Sequence, residues 1–164
     1  MKAGRLDEAA RALQDAVDLA VRGAEAVRDA EAERPGGGAS EPRRTRARRA
    51  AAFRSEESSA RFNLAVVRER EFAALGGGAA AMRTEAGQRA LQAAADEYRA
   101  VIGLNPADVQ AHFALSKILG RTGHWQEALA HLKACADIDA RYTENLQRML
   151  DFMVQRGMAT RSES

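Results

Sequence analysis

Apolar residues in the second half of the chain recur at the three-and-four spacing of an amphipathic helix, and the same arrangement occurs twice. Ala94, Tyr98, Val101, Ile102 and Leu104 lead into Asn105-Pro106; 34 residues later Ala128, Leu132, Cys135, Ala136 and Ile138 lead into Asp139-Ala140. Seven positions keep one register. Each row predicts the inner face of a helix, with small residues where two helices approach closely and larger ones where they fill a groove. Polar Asn105 or Asp139 then ends the helix.

Between the two rows, Val109 to Gly120 predicts one helix and His124 to Cys135 a second, joined by Arg121-Thr122-Gly123. Gly123 can take the left-handed conformation that stops the first helix, and Trp125 is expected to pack near Leu115 and Leu119 as the second begins. Upstream, Phe62 to Val67 reads as another first helix and Thr84 to Gly103 as its partner, with Tyr98 and Val101 inward. Gly76-Gly77-Gly78 separates them by more than a tight turn, which would lift that loop out as a contact surface.

The 34-residue period, the Gly-aromatic step at Gly123-His124-Trp125 and the Glu127-Ala128-Leu129 run resemble the tetratricopeptide repeat family. Two departures are Ser116, where Gly or Ala is usual, and Ala140, where a Pro usually follows. The resemblance implies an all-α fold, a short right-handed solenoid of antiparallel helical hairpins. A degenerate hairpin over 56–106 would precede a complete one over 107–140, with a C-terminal capping helix over 141–158 built on Tyr142, Leu146, Met149, Leu150, Met153 and Val154, and a frayed tail over 159–164. Residues 1–34, with Leu6, Ala9, Leu13, Ala16 and Val17, resemble a second helix without its first. The missing helix then lies in sequence this chain lacks or comes from a partner.

Composition agrees with helices: 46% of residues are hydrophobic but only 5% aromatic, and Ala, Leu, Arg and Glu lose little entropy in a helix. Net charge is +2, unevenly spread. Residues 35–55 predict a flexible linker, Gly/Pro-rich and then basic, in which Arg43, Arg44, Arg46, Arg48, Arg49 and Arg54 stand without an acid between Pro42 and Ser55. Closely spaced guanidinium groups suit phosphates, so RNA is the partner to consider for this arm, with Phe53 as its single stacking surface. Eight acids in the first 34 residues argue against an acid-poor organelle address. No signal segment or apolar run of membrane-spanning length is visible.

Candidate chemistry is sparse. The single cysteine, Cys135, excludes an internal disulfide and suits a reducing, intracellular compartment. It sits in a slot for a small packed residue, where burial quiets a thiol. His112, His124 and His131 are the only histidines, and the seven-residue step from His124 to His131 is wrong for two ligands on one helical turn, so no metal site is expected. No Gly-Lys-Ser/Thr follows the glycine loop, and no Ser-His-Asp arrangement can be justified. Neither an enzyme nor a cofactor is expected.

Stacked hairpins instead imply a protein-protein interaction scaffold or accessory subunit of a larger assembly. Asn63, Arg70, His112, Lys117 and Arg121, on or beside first helices, are the candidate protein contacts. An RNA-contacting subunit using Arg43 to Arg54 is one alternative. A co-chaperone-like adaptor is another, though the Lys/Arg/Asn set that some family members use to hold terminal carboxylates is not evident.

Overall fold

The computed structural model describes residues 2–32 and 43–158; among these every regular element is helical. In chain order they are α1 (Lys2–Ala32), α2 (Arg43–Ala74), α3 (Gly78–Met82), α4 (Glu85–Leu104), α5 (Val109–Arg121), α6 (Trp125–Ile138), a 3₁₀ turn (Ala140–Tyr142) and α7 (Thr143–Gln155). The chain divides into two compact units, residues 1–100 and 101–164, and the division falls in the last turn of α4.

In the first unit, α1 and α2 are 31 and 32 residues long and lie antiparallel. Leu6, Ala10 and Leu13 near the start of α1 meet Leu64 and Val67 far along α2, whereas Gly23 meets Phe53. On α1 the inward residues Leu6, Ala10, Leu13, Val17, Ala20, Ala24 and Val27 alternate steps of four and three, the narrow stripe of a two-helix coil. The same alternation on α2 runs through Arg46, Ala50, Phe53, Glu57, Ala60, Leu64, Val67 and Glu71, all buried or half-buried.

This pairing corrects two expectations. The helix that α1 seemed to lack is α2, within the same chain. The basic stretch expected as linker is helical from Arg43 onward, because Ala50, Phe53 and Ala60 carry the inward stripe back through it; residues 33–42 lie outside the described part, as do 159–164 and the side chain of Arg43. Phe62 to Val67 is the middle of this long helix and not a separate short one.

Helix α4 packs on α2 within the same unit. Tyr98 is buried, its ring edge-on to Phe62 at 5.4 Å, and its hydroxyl donates to Glu69 Oε1 at 2.9 Å. Burial, followed by the Glu69 carboxylate, pushes the Tyr98 phenol well above its usual range. Arg61 on α2 donates to Glu57 at 2.9 Å and Glu97 at 3.0 Å. Burial would lower its pKa, but the two carboxylates outweigh that and leave it raised. Thr84 caps α4, accepting from the Gly87 N–H at 3.1 Å, the role preferred for a short hydroxyl side chain.

In the second unit the helix-ending turns recur in the backbone 34 residues apart. Asn105 N–H donates to Val101 O at 2.8 Å and Asp139 N–H to Cys135 O at 2.8 Å; Asp108 N–H donates to Asn105 O and Tyr142 N–H to Asp139 O, both at 3.0 Å. In each turn the Asn or Asp side chain accepts from the N–H two residues on, Ala107 or Arg141, an Asx turn that reverses the chain after the helix. The paired rows are likewise buried at Ala94 and Ala128, Tyr98 and Leu132, Val101 and Cys135. The match stops short of its last apolar position, because Ile138 is 45% exposed.

Helix α5 starts on Asp108, whose side chain accepts from Ala111 N–H at 2.9 Å. It stops at Gly123, whose φ of 85° belongs to the left-handed region. His124 N–H reaches back to Leu119 O at 2.9 Å and Gly123 N–H to Gly120 O at 3.4 Å, the paired bonds of a glycine-terminated helix. The same pair closes α2 at Gly76, so the glycine segment is a helix stop followed by the short α3. Trp125 covers Gly120 and meets Phe152 of α7 with ring centres 5.0 Å apart.

No described helix is long and apolar enough to cross a membrane.

Candidate functional site

In the second unit, α5 and α7 flank an open groove of about 820 Å³. Its apolar surface comes from Phe113, Trp125, Leu132, Met149 and Phe152, while Lys117, Arg121 and Arg148 supply three cations and no carboxylate lines it. The helical period explains the grouping. Phe113, Lys117 and Gly120 fall within two turns on one side of α5, and Asn145, Met149 and Phe152 do the same on α7. The Trp125 ring lies over Gly120, at ordinary contact distance from where a Cβ would stand.

The cations differ in their surroundings. Lys117 Nζ lies 5.5 Å from the centre of the Phe113 ring, and Arg148 pairs with Glu144 one turn back on α7, both side chains exposed. Arg121 is exposed at the end of α5. All three are surface charges in water, where an existing ion pair is weak and can exchange for a partner's carboxylate.

Two of the five anticipated contact residues, Lys117 and Arg121, therefore share one groove. Asn63 and Arg70 are exposed on α2 of the other unit. His112 is corrected from a contact to an interior residue: only 8% of it is exposed. Its Nε2 lies 3.1 Å from Pro106 O and its Nδ1 2.8 Å from His131 Nδ1. A carbonyl only accepts, so His112 Nε2 holds a proton; in the neutral ring Nδ1 then accepts from His131. The seven-residue histidine step was the wrong one to weigh, since the close pair lies 19 residues apart on facing helices.

No family model, curated protein or solved structure matches this chain.

Cys135 is buried, and its thiol lies 3.5 Å from Val109 O. Burial pushes that thiol up to about 11, away from the thiolate that nucleophilic or metal-binding chemistry needs. Among the described residues no group of three or more His, Cys, Asp or Glu side chains could hold a metal ion. The α7 contribution to the groove, Asn145, Arg148, Met149 and Phe152, was not anticipated. Its signal was present in Phe152 and Arg148, which lie on the same helix as the expected capping residues.

Proposed function

We propose that the chain is a protein-docking module whose α5–α7 groove seats a partner segment with apolar anchors and acidic flanks, and that it serves as an accessory subunit or scaffold in a larger assembly. The observation that carries this reading is the groove's composition: an aromatic and thioether floor beside three cations, with no carboxylate in its wall. Buried aromatic contacts supply affinity at such sites, and complementary charge fixes register and speeds encounter. A helical or extended segment both fit, because the groove is open along the helices.

The tetratricopeptide-like solenoid belongs to the same proposal. The repeated helix-ending turns at Asn105 and Asp139 support it, as does the hairpin of α5 and α6 joined through Gly123. The long α1–α2 pair is a departure from repeats of that length, so the solenoid reading rests on residues after 84.

Panning a displayed random-peptide library on the purified chain, and in parallel on the Lys117→Glu/Arg121→Glu variant, tests the reading. Enrichment of peptides that combine Leu, Phe or Trp with Asp and Glu, lost on the variant, is the expected result. No enrichment, or enrichment of the same sequences on both proteins, overturns it.

A further inference from the structure

The first three turns of α2 carry an independent feature. Placed on the four-and-three stripe that faces α1, the arginines sort into two sets. Arg46 lies in the stripe, and Arg49 and Arg54 flank it on opposite sides at equal offsets. Arg44 and Arg48 continue round the outer side from the Arg54 flank, so that Arg44, Arg48 and Arg54 share one contiguous sector, within about 120° of helix circumference and roughly 15 Å of length. All three are exposed, and none makes a hydrogen bond or ion pair among the described residues. The other residues of that sector between 44 and 58 are Ala47, Ala51, Ser55 and Ser58, so no carboxylate interrupts it.

Phe53 is not available beside them. A Cβ built on Gly23 would lie 2.5 Å from its ring, so the ring rests against α1 where that glycine leaves space. The sector thus offers guanidinium groups without an aromatic surface for stacking and without a large apolar side chain for insertion into a bilayer.

We propose that Arg44, Arg48 and Arg54 form a binding surface for the sugar-phosphate backbone of nucleic acid, read without regard to base sequence. Guanidinium groups pair with phosphate oxygens through two parallel N–H donors, and each phosphate neutralised releases condensed counterions. Lack of a stacking ring removes the usual source of base preference in single strands. Lack of apolar bulk separates this surface from amphipathic helices that insert into the membrane interface. The proposal stands apart from the groove, which lies in the other unit and involves different residues.

The test is fluorescence anisotropy of a labelled 20-nucleotide single-stranded RNA, and of duplex DNA, with the full chain between 50 and 200 mM salt. Three contacts predict a log–log salt slope near −2 for the single strand, an affinity loss of roughly 20-fold across that range. The triple variant Arg44→Gln/Arg48→Gln/Arg54→Gln should flatten the slope to near zero. A second triple, Lys117→Gln/Arg121→Gln/Arg148→Gln, removes the same charge from the groove and should leave the slope in place. Helical circular dichroism and thermal midpoint verify that both remain folded. The proposal is overturned if neither nucleic acid binds, if the two triples flatten the slope equally, or if vesicles of one-third phosphatidylserine bind the chain while RNA and DNA do not. Equal binding of random and homopolymeric RNA supports it, and strong preference for one sequence counts against it.

Discussion

His112 and His131 face each other across the α5–α6 hairpin with their Nδ1 atoms 2.8 Å apart, and Pro106 O fixes which of His112's nitrogens must donate. The pair joins two helices and the turn before them through one ring. Replacing His112 with Ala removes the partner of both a backbone carbonyl and a ring nitrogen and leaves space in the interior. The expected cost is about 1–3 kcal/mol. Urea unfolding followed by the emission of the sole tryptophan, Trp125, measures it. Because the two histidines share one contact, His112→Ala/His131→Ala should cost less than the two single changes added.

Gly123 holds φ at 85° where α5 ends. An alanine there must place a Cβ in the left-handed region, so Gly123→Ala is expected to destabilise by about 1 kcal/mol. The same measurement reads it. An unchanged midpoint would show that the turn relaxes without cost.

Leu64 is 1% exposed in the α1–α2 seam, against Ala10, with Leu6 and Leu13 beside it. Truncation to Ala leaves a cavity between the two helices. A loss of about 2–5 kcal/mol is expected, read as a fall in the thermal midpoint of the helical signal.

Much of this fold was legible in the amino-acid pattern, for identifiable reasons. The row of Ala128, Leu132 and Cys135, the stop at Gly123 and the helix ends at Asn105 and Asp139 depend on local chemistry, which sequence states directly. The α1–α2 hairpin is faint in the sequence because Ala stands at several positions of its stripe and Arg46, Glu57 and Glu71 interrupt it on α2; its mark is the alternation of four- and three-residue steps. His112 was misplaced because its burial depends on meeting His131, a contact between facing helices that helical spacing does not reveal. The α7 half of the groove is hidden for a related reason: a capping helix shows its inward stripe in sequence, whereas Asn145, Arg148 and Phe152 line the groove only once α7 lies beside α5.

The Cys135 thiol is raised from 9.0 to about 11 by burial, so the folded chain holds this proton more tightly than the unfolded chain. Its contribution to stability is complete below about pH 9 and is lost as pH rises through about 11. The alkaline decline in stability should therefore be shallower in Cys135→Ala than in the parent. At pH 8 the folded thiol should react with a disulfide reagent about a hundredfold more slowly than the unfolded one, from thiolate fraction alone. Equal rates would show the thiol to be open to solvent.

Trp125 lines the groove between α5 and α7 and is the chain's sole tryptophan, so its emission would report occupancy of the proposed docking site without a label. The most direct measurement is a titration of the chain with a peptide selected by panning, an apolar segment flanked by Asp and Glu, followed by Trp125 emission. The account predicts a saturable blue shift as the peptide excludes water from the Trp125–Phe152 floor, with affinity reduced about tenfold in Lys117→Glu/Arg121→Glu. Peptide binding that leaves Trp125 emission unchanged, or that is indifferent to both cations, would contradict it.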